Sequence, residues 1–131
     1  MNKDFYIEVV KSSEELTPVE RIQIKDITDS IKLDEATANG PVTVYPAKYA
    51  LLHVHNEKSK GDKDYNTCVV FTTDGKRYIT GSRSFLSSLE NLWDDYTDLL
   101  LSGEAIALKI YRKPSQNYKG KDFLTCSVTV D

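Results

Sequence analysis

The chain has no long hydrophobic run: none of its 131 residues lie in an unbroken apolar stretch of the roughly 18 residues that a membrane-spanning helix needs. The first residues, Met1 to Phe5, also lack the apolar core of a secretory signal peptide. Only two cysteines occur, Cys68 and Cys126, far apart in the sequence, which favours reduced core thiols over a disulfide framework. We therefore expect a protein of the cytoplasm with no membrane partner.

Catalytic signatures are missing as well. The sequence contains no GxSxG, no P-loop, no GxGxxG after a predicted strand and no His-Glu helix motif. His53 and His55 could share a zinc ion with Cys68 and Cys126, but the cysteines lack the short Cys-x-x-Cys spacing of a zinc signature. We predict a protein that is not an enzyme and needs no metal or cofactor.

Length and composition indicate one folded domain. With 131 residues, 40% of them hydrophobic and 28% charged, the chain can pack one core but not two independent ones. Mean hydropathy of -0.44 is typical of a soluble protein. We predict a single domain over residues 1–131, in which residues 1–19 form an N-terminal extension.

The net charge of -3 hides a segregation of charge along the chain. Residues 1–40 carry five basic and nine acidic side chains, and residues 84–104 carry five acidic side chains and no basic one. The remaining residues carry twelve basic and six acidic side chains. Since phosphate binding needs Lys and Arg, a nucleic-acid contact is expected only in this remaining part.

Hydrophobic periodicity in the first half of the chain favours strands. Residues 20–26 alternate and favour a strand, although residues 17–20 (Thr-Pro-Val-Glu) have the form of a helix capping box. Residues 30–41 end in Ala-Asn-Gly-Pro and predict a loop. Residues 47–56 alternate and predict a strand, followed by an exposed charged loop over residues 57–64.

A hairpin is predicted around Asp74-Gly75. These two residues are the strongest short hairpin signal, and residues 67–73 and 76–80 on either side have strand composition. A two-residue turn at this point would place Phe71 opposite Tyr78. Both rings are expected to be core residues.

Residues 82–102 change to helical periodicity and predict the one helix of the chain. Gly103 is placed to end the helix, and Ser82 is the expected N-cap. Anion binding by the free amides of Gly81 to Ser84 is the less favoured interpretation of this segment. The apolar stripe comprises Leu86, Leu89, Trp93, Tyr96 and Leu100.

Residues 105–113 and 123–130 form a second predicted hairpin around a polar loop over residues 114–120. The order of elements, with a helix between the third and fourth main strands, is that of an OB-fold, a small antiparallel β-barrel. We predict a mainly β, OB-like barrel with this one helix. A split α+β sheet is the alternative.

The last hairpin presents a basic and aromatic face. Alternation predicts one face of Ile106, Leu108, Ile110, Leu124, Cys126, Val128 and Val130 directed inward. The opposite face then holds Lys109, Tyr111, Lys113, Lys121, Phe123 and Thr125. If the loop is symmetric about Asn117, Tyr111 lies opposite Phe123, Lys113 opposite Lys121, and Lys109 opposite Thr125.

Rings flanked by ammonium groups on one face are suited to single-stranded nucleic acid, because bases stack on rings while cations follow the phosphates. The alternative is that these rings cover neighbouring residues, as strand aromatics often do. Tyr118, Lys119 and Arg112 extend the same composition, and Tyr49 lies on the mixed outer face of residues 47–56. The candidate binding residues are Tyr49, Lys109, Tyr111, Arg112, Lys113, Tyr118, Lys119, Lys121 and Phe123.

Four segments resemble a known family: Tyr49 to Leu52, His55 to Ser59, Gly81 to Phe85, and Asn117 to Thr125 with its Tyr-Lys-Gly-x-x-Phe element. Over most of residues 20–131 the chain is similar to small single-stranded-DNA-binding proteins of bacteriophages and prophages of Gram-positive bacteria. This resemblance implies an OB-fold protein that coats and protects single-stranded DNA during phage replication or recombination in the bacterial cytoplasm. It also implies no metal and no catalysis.

Two other classes of function stay open at this point. One is an OB-like protein-interaction module of a phage, used in a structural or host-takeover role. The other is a nuclease built on Asp94, Asp95 and Asp98, which a solvent-exposed acidic helix face explains better. Replication or recombination proteins are further candidate partners, and an unpaired edge strand would allow a homodimer.

Overall fold

A computed structural model describes residues 4–26, 30–61, 63–103, 106–114 and 122–130. In these ranges the chain forms eight strands and three helices, in the order β1 (Phe5–Ser12), α1 (Pro18–Ile24), β2 (Ile31–Lys32), α2 (Leu33–Ala36), β3 (Val42–Val44), β4 (Pro46–Asn56), β5 (Asp64–Thr72), β6 (Arg77–Thr80), α3 (Arg83–Leu101), β7 (Ile106–Pro114) and β8 (Asp122–Val130).

The strands make two sheets, so the protein is mainly β. The five-stranded sheet has the order β1-β4-β5-β6-β2, and the three-stranded sheet has the order β3-β7-β8. Only Tyr45 separates β3 from β4, so one nearly continuous stretch of chain contributes a strand to each sheet. This continuity holds the two sheets together at one corner.

Neither sheet closes into a barrel within the described ranges, so the predicted closure is wrong there. β2 pairs in parallel with β6 and occupies the edge of β6 that a closing strand would need. On the other sheet, the Ser84 hydroxyl of α3 donates to the Leu124 carbonyl of the edge strand β8 at 2.8 Å. The outer side of β6 is therefore paired with β2, and β8 is hydrogen bonded to α3 through Ser84.

Two hydrophobic clusters lie on opposite faces of the five-stranded sheet. The larger one packs α3 between the sheets and contains Phe85, Leu89, Trp93 and Tyr96 of that helix. The smaller one contains Leu16 and Ile24, from in and around α1, with Ala50, Leu52 and Val69 of β4 and β5. The central strands are consequently covered on both faces.

The predicted strand over residues 20–26 is wrong, because residues 18–24 form α1. Thr17 accepts a hydrogen bond from the Glu20 amide, and the Glu20 carboxylate accepts one from the Thr17 amide, which completes the capping box. Ile24 is fully buried while Ile22 is 73% exposed. The hydrophobic alternation in this segment therefore does not correspond to a strand.

Two further expectations need correction. The predicted loop over residues 30–41 contains β2 and α2. In the β5–β6 hairpin, Phe71 pairs with Arg77 and Val70 pairs with Tyr78, because the connection has four residues rather than two. Since side chains alternate along a strand, this shift puts Tyr78 in the larger cluster and Phe71 beside the smaller one.

The predicted helix over residues 82–102 is present as α3. Ser82 is its N-cap and accepts a hydrogen bond from the Phe85 amide at 3.2 Å. Gly103, which follows the helix, has a φ of +85°, a backbone conformation that favours glycine. Among the described residues, no helix combines the length and apolarity that a membrane crossing requires.

Candidate nucleic-acid interface

The β7–β8 hairpin has the alternation that the sequence predicted, except at Thr125 and Val128. Leu108 and Ile110 are fully buried, and the intervening Lys109 is exposed. On β8, Leu124 and Cys126 are buried and Phe123 is 37% exposed. Val128, expected to face inward, is also 37% exposed. The basic and aromatic face therefore exists, and the core supports it from behind.

The pairing across this face differs from the prediction. Tyr111 lies opposite Thr125, Lys113 opposite Phe123, and Lys109 opposite Ser127. The register is shifted by two residues on β8 relative to the prediction, and an even shift leaves the paired side chains on their predicted faces. Tyr111 and Phe123 are thus diagonal neighbours, about 7 Å apart, instead of a directly opposed pair.

Tyr111 lies between two ammonium groups. The Nζ of Lys109 is 5.4 Å from the centre of the Tyr111 ring, and the Nζ of Lys113 is 5.9 Å from it. Both distances are within the range of cation–π attraction, worth about 0.5–1 kcal/mol at an exposed site. This arrangement holds two positive charges close to a half-buried ring.

Arg112 points away from this face. Its Nε donates to the Thr37 hydroxyl at 3.0 Å, and its Nη2 donates to the Asp34 carbonyl. The side chain remains exposed, but it ties the end of β7 to α2. Arg112 is therefore a positioning residue for the hairpin rather than a member of the Tyr111 face.

Tyr49 is buried, which corrects its assignment as a binding residue. Only 7% of its surface is exposed, and its ring packs edge-on against Trp93 with centres 4.9 Å apart. Burial raises the pKa of its hydroxyl. A ring covered in this way offers no surface for a base, since α3 occupies the side of β4 that the sequence pattern leaves open.

Thr125 is also buried, at 8% exposure, although alternation placed it on the open face. Its hydroxyl is 2.8 Å from the Ser88 hydroxyl of α3. Tyr118, Lys119 and Lys121 lie outside the described residues. Of the nine candidates, the structure brings together Lys109, Tyr111, Lys113 and Phe123.

Next to this face lie two residues that the sequence analysis did not identify as candidates. Thr43 of β3 is exposed and pairs with Lys109. Tyr45 is the residue directly after β3, and it is 49% exposed. The alternation Val42-Thr43-Val44-Tyr45 after Pro41 is the signal that would have predicted this short strand.

The two histidines contact carboxylates rather than cysteines. Asp64 Oδ1 is 2.7 Å from His55 Nδ1 and 3.1 Å from His53 Nε2. Hydrogen bonds to Asp64 and Glu57 raise the pKa of His55. Cys68 and Cys126 are buried and free, and burial is the main reason that each thiol has its pKa raised to about 12. No three described side chains of the metal-binding types form a group that could hold a metal ion.

Three acidic side chains of α3 lie in solvent. Asp94, Asp95 and Asp98 are all exposed on this helix. Such a placement is typical of a solvated helix face and gives these carboxylates none of the burial that tunes catalytic acids.

Comparisons with known proteins identify no relative of this chain. No family model, no curated protein and no solved structure matches it.

Proposed function

We propose that this protein binds single-stranded DNA without catalysis and with little sequence preference. The observation that carries the proposal is the Tyr111 ring between the ammonium groups of Lys109 and Lys113, beside the exposed Phe123 on the same hairpin face. Stacking tolerates every base because each has a π-face, and lysines contact the backbone common to all sequences.

Stacking on Tyr111 also explains how the two lysines would act. In the free protein their ammonium groups lie over the ring, at a small energetic gain. An incoming base replaces an ammonium group over the ring, and the released lysine reaches a phosphate. Phe123, diagonal to Tyr111, supplies a second platform for the next base.

The resemblance to phage single-strand binders supports the biological part of the proposal. We place the protein in the bacterial cytoplasm, protecting single-stranded DNA during phage replication or recombination. The chain order β4, β5, β6, α3, β7, β8 is consistent with a variant OB-fold. In this variant, β2 pairs with the edge of β6 in place of the strand that would close the barrel.

Titration of the protein with oligo-dT at several salt concentrations tests the proposal. We expect micromolar or tighter binding, weakening steeply as salt rises because phosphate contacts release counterions. Equal affinity at low and moderate salt, or a preference for duplex, would contradict it. A parallel titration with oligo-rU measures the preference between DNA and RNA.

A second candidate function is a phage protein-interaction module. The observation that favours it is on α1, where Val19 and Ile22 are 63% and 73% exposed and lie three residues apart on one helix face. Exposed apolar side chains of this kind can mark a protein contact. This function is favoured if the protein binds no oligonucleotide and one host protein co-purifies with it. The Ile22→Ser variant should then no longer co-purify with that host protein.

A further inference from the structure

A cleft of about 610 Å³ opens between the start of α3 and the five-stranded sheet. Its floor is the sheet face that carries His53 of β4 and Asn66 of β5, which lie opposite each other. Its helical wall is formed by Arg83, Leu86 and Ser87, which share one side of α3 because they are three and four residues apart. The volume is in the range of small-molecule ligand sites.

The groups around the cleft are polar and held in place. His53 Nδ1 is 3.1 Å from Asn66 Oδ1, and His53 Nε2 is 3.1 Å from Asp64 Oδ1. Asp64 also contacts His55, so its negative charge faces two imidazoles. Arg83 is exposed at the rim, and it contributes a full positive charge to the wall. These groups suit a ligand with an anionic part and a hydrogen-bonding part.

The cleft and the hairpin face are neighbours across α3. The Ser84 hydroxyl donates to the Leu124 carbonyl, and the Ser88 hydroxyl contacts Thr125, each at 2.8 Å. Leu124 follows Phe123 directly, and Ser84 follows Arg83. Phe123 and Arg83 therefore each lie one residue away from the contact between β8 and α3.

We infer that the cleft takes a further nucleotide of the same single strand that binds the hairpin face, with Arg83 as a phosphate contact between the two. The inference rests on the proposed function and extends it. The Asn66 side-chain amide on the floor, held in place by His53, is positioned to meet the polar edge of the base, while the strand crosses the first turn of α3.

Oligo-dT of two lengths, about 4 and about 16 nucleotides, separates the two contacts in a binding titration of the full chain. The short oligomer has room for the hairpin face alone. Arg83→Ala should weaken binding of the long oligomer about tenfold and leave the short one unchanged. Arg21→Ala removes an exposed arginine from α1, on the opposite face of the sheet, and should change neither.

A second variant fills the cleft without changing charge. Ser87 is exposed on the cleft wall, so Ser87→Trp should block the cleft and also weaken only the long oligomer. The inference is overturned if both variants bind the long oligomer like the wild type, or weaken both lengths equally. In either case the wild type still binds DNA and the proposed function stands. Absence of oligo-dT binding by the wild type overturns both.

Discussion

Two aromatic rings, Tyr111 on β7 and Phe71 on β5, have similar immediate neighbours. Lys109 and Lys113 place their ammonium groups 5.4 and 5.9 Å from the Tyr111 ring centre. Lys48 and Arg77 place their cationic groups 5.6 and 5.3 Å from the Phe71 ring centre. By composition alone, both sites look like platforms for nucleic acid.

The surroundings separate the two sites. Phe71 packs against the smaller hydrophobic cluster below α1, and Lys48 forms an ion pair with Glu20 of α1, with Nζ and Oε2 2.7 Å apart. Among the described residues, no carboxylate is paired with either lysine beside Tyr111. The Phe71 ring is thus packed against another part of the fold and one of its two cations is neutralised, whereas neither holds for Tyr111 in the described part of the chain.

The largest expected difference is in stability. Phe71→Ala should lower the free energy of unfolding by about 2 kcal/mol, less than the 3–5 kcal/mol typical of a fully buried Phe because the ring is only partly buried. Tyr111→Ala should change it by less than about 1 kcal/mol. Urea denaturation of both variants and the wild type measures these changes in the free energy of unfolding. Equal destabilisation would remove the distinction between the two rings.

Binding should show the reverse order. Tyr111→Ala should weaken oligo-dT binding by about 1–3 kcal/mol, since one stacking platform is lost, while the salt dependence stays nearly unchanged. Phe71→Ala, measured below its melting temperature, should bind like the wild type. If Phe71→Ala loses as much affinity as Tyr111→Ala, the surface below α1 is also a binding surface and the comparison is broken.

The salt dependence distinguishes the lysines. Lys113→Ala should reduce the slope of log affinity against log salt by about 0.7, the effect of one phosphate contact on single strands. Lys48→Ala is the matched control, because the charge of Lys48 is already neutralised by Glu20. An unchanged slope for Lys113→Ala would show that this lysine contacts no phosphate.

The smallest effect concerns pH and α1. The hydrogen bond from Lys48, helped by those from Thr17, lowers the pKa of Glu20 from its ordinary 4.5 to about 2. Because the folded pKa is the lower one, this contact stabilises the protein above about pH 4.5 and is lost as pH falls through about 2. The melting temperature of Glu20→Gln should be slightly below that of the wild type at pH 7, and the difference should shrink toward pH 2. If the difference in melting temperature between Glu20→Gln and the wild type does not change with pH, the substitution acts through packing rather than through the charge of Glu20.

Predictions from local pattern were most accurate where one face of an element is buried and the other is open. The alternation of β7 and β8 and the helical stripe of α3 are of this kind, and each is present except at Thr125 and Val128 on β8 and at Leu100 near the end of α3. Tyr49 was misplaced because β4 is covered on both sides, by α3 and by the segment around α1. An alternating pattern does not reveal that its polar-looking face is also covered.

The sequence by itself determined which residues share a face of the last hairpin, since alternation along a strand is a local property of the backbone. It also contained the capping box that starts α1, although the alternation after it favoured the wrong element. Tertiary structure alone decided the register of both hairpins, the pairing of β2 with the edge of β6, and the packing of Phe71 against the smaller hydrophobic cluster. These depend on contacts between segments distant in the chain, whose packing energies exceed local preferences and leave no periodic signal in the sequence.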